Sequence, residues 1–430
     1  MTATADLADA YQALLIRDDP LYAVMAGTAP QSLTPLDEEA VRDRAATAAE
    51  LLGLLDAIEG DDSEADLASV LRALLTADIE RVQVMWHEHV TAPYHVGFLF
   101  SLVARMAIAP LTGAERARLT AELAERVCSA ATLLRGRRER GIVLPGPAVE
   151  GARGTWAALS AELSTLLDSP AVDAAMVAVA AEIETSAESA GDAVGMANVP
   201  GGEEAYRLLV RQHTTLDLGP EELHRLGLEQ CARLAERMAE IRARLGGPED
   251  EDEARSWIAA QKHLYASTPD AVAATYRRHL TRVEPGIDAL FRTRPRAGYD
   301  VQRLDPADDA YGRLAHERFT AQRLVVDTAL NLGSWDLTRA RAFMRAHTLD
   351  SDRQIASETL RYATDLPAQA LAYRSGFLAF QEARESAAGV DPRIVHEAML
   401  TAGAVPLPRM RERVARAVHR ETSMSGGRRG

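Results

Sequence analysis

Apolar residues recur along almost the whole chain at steps of three and four, the spacing that aligns one face of an α-helix, and convincing strand alternation is nearly absent. The clearest instance opens at Leu218-Gly219-Pro220-Glu221-Glu222. Proline suits a first helical turn, where its missing N–H would be unpaired anyway, and the two glutamates face the positive end of the helix dipole. From there Leu223, Gly227, Cys231, Leu234, Met238, Ile241 and Leu245 fall on one face. Gly246-Gly247-Pro248 is expected to end the helix, and Glu249 to Glu253 to form an acidic, solvated loop.

Other boundaries follow similar chemistry. Thr268-Pro269-Asp270 reads as a helix start, and Ser351 with Gln354 fits a capping box ahead of Ile355. Glycine-rich or proline-rich breaks are expected at Gly141 to Gly151 and Asn198 to Gly202, and a polar connection from Arg292 to Asp309. The stretch from Ser423 to Gly430 lacks an apolar stripe and is expected to be a disordered tail. No internal repeat of fixed period is evident.

Composition sharpens this picture. Hydrophobic residues make up 47% of the chain and aromatic residues only 5%, with alanine, leucine and valine dominating, so the core is large and built mainly from helix formers. A formal net charge of −15 argues against a sequence-independent nucleic-acid surface, which needs clustered basic residues. Lys262 is the single lysine, so a Schiff-base mechanism would depend on it; its polar surroundings read as solvated surface. Cys128 and Cys231 are too few for a disulfide framework or a thiolate zinc site, and Cys231 sits on the apolar stripe as a core residue. The first residues carry no basic-then-apolar signal, and no apolar run approaches the roughly 18 residues of a membrane span. A cytoplasmic location with no membrane contact is expected.

Candidate chemistry is sparse. A helical zinc hydrolase needs two histidines one turn apart with a glutamate beside the first. Three His-Glu pairs occur, His87-Glu88, His316-Glu317 and His396-Glu397, yet Thr91, Thr320 and Leu400 stand where each second histidine would be. His87, His89 and His95 crowd one segment and would meet a metal only in extended backbone; a polar helix end followed by a loop is the plainer reading. Asp305, Asp308 and Asp309 read as helix N-terminal capping ahead of a magnesium site. No nucleophile elbow, Walker loop or dinucleotide fingerprint is present.

The string Arg323-Leu-Val-Val-Asp327-Thr-Ala-Leu-Asn331 resembles the DUF885 family of large helical proteins with a gluzincin-like zinc site. The family string usually ends Gly-x-His, where this chain has Ala329 and Asn331. The resemblance extends through Gly202 to Tyr206, His213-Thr214-Thr215, Pro220 to Gly227, Ile355 to Glu358, Pro367 to Gly376, and His396 to Leu400 with Gly403 and Pro406-Leu407. Asp19-Pro20 and Gly27 fit near the N-terminus. It implies an all-α, multi-helix single-domain body over residues 1–422 with a central cleft. Family members carry a His-Glu-x-x-Pro-Gly-His block after the connection; here Asp305 to Leu314 follows almost at once, so that block is read as deleted near 292–310. No metal ligand transfers, and no cofactor is called for.

What the resemblance leaves is a frame around the vacated site. Arg323, Asp327 and Asn331 are spaced by four and share a helix face, and Gln369, Tyr373 and Arg374 would flank the same cleft. A buried salt bridge of Asp327 with Arg323 or Arg374 is the alternative account of that stripe. The expected function is metal-independent chemistry on a small molecule in specialised metabolism, by hydrolysis, elimination, isomerisation or cyclisation. His213, His316, Glu317, Asp327 and Tyr373 are its candidate catalytic groups, and Arg323, Asn331, Gln369 and Arg374 its substrate-binding groups. The alternatives are a non-catalytic protein holding a ligand or partner, and a hydrolase with a rebuilt metal site using His87, His89, His95 or His316. The expected partner is a small molecule, not nucleic acid or membrane, and a homo-oligomer is open.

Overall fold

The computed structural model describes residues 2–58, 64–88, 98–261, 281–293 and 306–426, with isolated positions between 262 and 280. Helices account for its regular structure, and no strand occurs among the described residues. Short polar side chains set many of the starts by accepting the otherwise unpaired N–H groups of a first turn. Thr2 caps α1 (Ala3–Asp18), Asp19 accepts from Leu21 and Tyr22 at 3.0 and 3.1 Å ahead of α2 (Pro20–Met25), and Asp37 caps α3 (Glu38–Asp56). Next come α4 (Ala65–Val84), α5 (Phe98–Val103), α6 (Gly113–Glu139), α7 (Gly146–Leu167), α8 (Pro170–Ala187) and α9 (Gly202–Thr214). The chain continues through α10 (Pro220–Arg244), α11 (Glu251–Ala259), α12 (Ile287–Leu290) and α13 (Pro306–Asn331). The described elements end with α14 (Leu337–His347), α15 (Asp352–Leu360), α16 (Leu371–Ser386), α17 (Pro392–Leu400) and α18 (Leu407–Gly426).

Two compact units share these elements. The first comprises residues 1–213, 327–340 and 356–369; the second comprises 214–326, 341–355 and 370–430. Within the first, Phe100, Leu119, Leu123, Val127, Trp156, Leu163, Val179 and Ile183 form a core shared by α5 to α8. Tyr11, Leu14, Ala48, Leu55, Leu71 and Leu75 form a second one among α1, α3 and α4. The Tyr11 hydroxyl donates to Asp78 at 2.8 Å, which removes the one polar group that tyrosine brings into that core. Gly195 sits at φ +91°, and a Cβ there would lie 2.1 Å from the Leu330 carbonyl, so this loop passes the end of α13 only because glycine occupies it.

Within the second unit, Ala379, Ala383, Val395, Met399, Met410 and Val414 join α16, α17 and α18. Helix α10 packs on α13 at Gly227, where a Cβ would stand 2.8 Å from both Leu324 Cβ and Val325 Cγ2. The face expected from sequence is buried at Leu223, Gly227, Cys231, Leu234 and Met238. Its last two members differ: Ile241 is half-buried and Leu245 exposed, while Arg242 turns inward to donate to the Pro248 and Glu249 carbonyls at 2.7 and 2.8 Å. The capping box at Ser351 and Gln354 forms as expected.

Several boundaries depart from expectation for local reasons. Asp250 accepts from Asp252 and Glu253 at 2.9 Å each, so the acidic run starts α11 where a loop was expected. Gly146 and Gly151 lie inside α7, which starts directly after Pro145 and buries Ala148, Val149 and Ala152. Helix α18 continues through Ser423 to Gly426, beyond the point where the tail was expected to begin. Lys262, the proposed start at Pro269-Asp270 and most of the connection from Arg292 lie outside the described residues.

Candidate functional site

The last turn of α13 places Asp327, Thr328 and Asn331 at zero exposure among Leu324, Val325, Val326, Ala329 and Leu330. Polar groups buried this way are stable only when their hydrogen bonds are made. In the first unit Asp327 accepts from the Tyr206 hydroxyl at 2.7 Å and from the Ala368 backbone N–H at 3.0 Å to Oδ1 and 3.1 Å to Oδ2. The Asn331 amide donates to the Asp327 and Tyr362 carbonyls at 3.0 Å each and to Asp327 Oδ1 at 3.3 Å. Its own Oδ1 accepts the Met196 N–H at 3.1 Å. Tyr362 belongs to a π-helical turn, Arg361–Asp365, that follows α15. Burial pushes the Asp327 carboxyl up to about 7, against the opposing pull of the Tyr206, Ala368 and Asn331 donors and the Arg361 charge. His213 is half-buried in the last turn of α9, and half-buried Gln369 directly follows Ala368.

The second unit has its own buried cluster. Arg374, on α16, is fully buried; its guanidinium meets Glu317 at 3.4 Å and Gln230 Oε1 at 2.6 Å, with the Phe377 ring 4.7 Å away. Burial lowers the Arg374 pKa, and the Glu317 carboxylate opposes that shift. Cys231 lies nearby on α10, its thiol pushed up to about 12 by burial. Arg323 is half-buried, with the Phe319 ring 4.4 Å and the Tyr373 ring 5.2 Å from its guanidinium carbon. Tyr373 is 52% exposed, and His316 is exposed beside Phe319.

The candidates named from sequence therefore assemble as Asp327 with Asn331, Glu317 with Arg374, and Arg323 with Tyr373. The buried ion pair forms between Glu317 and Arg374; Asp327, for which a salt bridge to Arg323 or Arg374 was the alternative account, is instead held by the neutral donors Tyr206, Ala368 and Asn331. Tyr206, Ala368, Tyr362 and Gln230 were not singled out as site residues. Their signal is contact across long stretches of chain, which one sequence does not carry.

The metal reading meets a poor donor set. Asn331 stands where the family resemblance would put histidine, and both ends of its amide are engaged by Met196, Asp327 and Tyr362. His87 Nε2 lies 2.9 Å from the Pro200 carbonyl, Glu88 pairs with Arg81, and His396 Nδ1 lies 2.9 Å from the Leu290 carbonyl. His89, His95, Asp305 and the side chains of Asp308 and Asp309 lie outside the described residues. Among the described residues no group of three or more His, Cys, Asp or Glu side chains converges as a metal site would. The described residues do not fit a zinc ion.

An all-helical frame in which buried Asp327 and Asn331 are engaged by internal hydrogen bonds defines the class: a large helical protein with no converging group of metal-binding side chains among its described residues. The chain belongs to the family of bacterial proteins of unknown function called DUF885, whose model matches residues 20–310 and 304–414. Among solved structures it resembles a protein of Colwellia psychrerythraea described as a "putative lipoprotein", with 16% identity and a TM-score of 0.78 over 97% of this chain and 100% of that one. A second, described in the same words and as of unknown function, comes from Shewanella oneidensis, with 14% identity and a TM-score of 0.68 over 95% of this chain and 98% of that one. At these identities the likeness speaks to fold alone. No curated protein matches the chain. No helix among the described residues is long and apolar enough to cross a membrane.

Proposed function

We propose that this chain is a non-catalytic helical protein that holds a small ligand, its inherited polar string serving to fix the helices. The observation that carries this reading is the full burial of Asp327, Asn331 and Arg374, each engaged by partners inside its own unit. A catalytic acid, base or anion binder has to reach substrate within hydrogen-bonding distance, and side chains without any exposed surface offer no approach. The two stretches of the family match meet at residues 304–310, which supports the reading that a block is missing near 292–310 and the zinc ligands with it.

Catalysis on a small molecule is the competing reading, favoured by the accessible Arg323–Tyr373 pair. Mass spectrometry of a metabolite pool incubated with purified protein separates the two. The expected result is ligand retention with no conversion beyond a heat-denatured control. Conversion that disappears in both Arg323→Gln and Tyr373→Phe, two changes at accessible positions, would establish the competing reading instead. We also propose a cytoplasmic location; recovery of the protein in the membrane fraction, as the lipoprotein descriptions of the Colwellia and Shewanella proteins would lead one to expect, would reverse it.

A further inference from the structure

The second unit contains a hollow of about 290 Å³ whose floor is apolar and whose inner rim is not. Leu216, Leu218, Leu226 and Leu378 supply the hydrocarbon surface. Leu218 is 36% exposed, so this surface is open to solvent. On the rim, Gln230 Oε1 accepts from two guanidinium groups, Arg374 at 2.6 Å from the buried side and Arg233 at 2.7 Å from the exposed side. Glu317 pairs with Arg374, whereas among the described residues no carboxylate pairs with Arg233. Two cations thus share one neutral amide and one acid, and the charge of Arg233 opposes that of Arg374. Ser375, buried to 2% exposure, also lines the hollow, and its Oγ has no hydrogen-bond partner. An unmet buried hydroxyl is costly unless a ligand or water completes it. Also on the lining, Arg411 and Glu382 pair at 2.5 Å and cancel each other, and Glu385 accepts from Gln381 at 2.8 Å.

An apolar floor with a few convergent polar groups is the usual make-up of a small-molecule site. Arg233, a guanidinium with no carboxylate paired to it among the described residues, favours an anion beside it, and a guanidinium recognises a carboxylate by charge-assisted hydrogen bonds. We propose that this hollow binds a small aliphatic carboxylate, its head at Arg233 and the Ser375 hydroxyl and its hydrocarbon body along Leu216, Leu218, Leu226 and Leu378. The proposal deepens the ligand-holding reading above by naming a site and a ligand class.

Isothermal titration of the full chain with hexanoate, hexanol and hexylamine tests it. Hexanoate is expected to bind saturably at one site per chain, with hexanol and hexylamine at least about ten-fold weaker. Arg233→Gln should weaken hexanoate about ten-fold with a thermal midpoint close to wild type because Arg233 is exposed, and Ser375→Ala should weaken it several-fold. Leu218→Gln, at a second exposed position, should weaken hexanoate and hexanol alike. Absence of saturable hexanoate binding, equal binding of hexylamine, or undiminished binding to Arg233→Gln would overturn the assignment. Such a failure removes this hollow and leaves the non-catalytic reading standing. Conversion of a metabolite in the mass-spectrometric assay removes that reading while leaving the hexanoate result intact.

Discussion

Both carboxylate oxygens of Asp327 receive the backbone N–H of Ala368, at 3.0 and 3.1 Å, and Ala368 holds a left-handed backbone with φ +68°. A residue with a Cβ adopts that conformation at a cost of about 1–3 kcal/mol when the surroundings over-determine it. The buried acid on α13 is what over-determines it. The segment after the π turn is thereby fixed against the helix end, and so is Gln369, which follows Ala368.

Asp327 makes the stability of the fold depend on pH. Folding raises the Asp327 pKa from an ordinary 3.8 to about 7, so between those values the folded state binds more protons than the unfolded chain. Stability contributed by this group is therefore present below about pH 4, declines as pH rises toward 7, and is gone above it; the span is on the order of 4 kcal/mol. Urea midpoints of wild type and Asp327→Asn at pH 5 and pH 8 isolate the effect. The wild type should lose more stability over that interval than the variant, and equal losses would contradict the assignment.

Ala368→Gly should be neutral or stabilise by up to about 1 kcal/mol, because glycine takes a positive φ without strain but loses more chain entropy. Ala368→Val should destabilise by roughly 2 kcal/mol or more, since a β-branched residue is a severe outlier there. Thermal denaturation of the pair gives the contrast directly.

Removing one member of the buried Arg374–Glu317 pair leaves the other charge unmatched. Arg374→Met or Glu317→Gln is expected to cost about 3–5 kcal/mol each. The double variant should cost distinctly less than the two single losses added together, and a double-mutant cycle in urea measures the difference.

Gly227→Ala would drive a methyl to 2.8 Å from Leu324 Cβ and Val325 Cγ2, forcing α10 away from α13. A loss of about 1–3 kcal/mol is expected from such overpacking. Gly151→Ala, on α7 with open space around its Cβ, should instead stabilise by roughly 0.5–1 kcal/mol.

Helix α10 could be read from sequence because its cues are local: a proline at the start, glutamates in the first turn, and small or apolar residues every three or four positions. The capping box at Ser351 is local in the same way. Gly146 and Gly151 misled because glycine signals a break by propensity alone, whereas Ala148, Val149 and Ala152 hold that segment helical through the core they join. The run from Glu249 looked solvated, yet Asp250 caps α11 and Glu251 pairs with buried Arg318 on α13. For the candidate site, spacing by four correctly placed Asp327 and Asn331 on one helical face. Their partners Tyr206 and Ala368 lie 121 and 41 residues from Asp327 along the chain, beyond the reach of any periodicity.

Neither unit is a single stretch of polypeptide, and α13 changes unit between Val326 and Asp327. During synthesis the first unit therefore waits for residues 327–340 and 356–369, even though its first 213 residues have long left the ribosome. Until then Tyr206 has no Asp327 to donate to, and the passage of Gly195 beside Leu330 does not exist. A shortened gene product ending before Gln369 would carry helices α1 to α9 without their closing piece, which makes premature termination ahead of that point a source of unfolded protein.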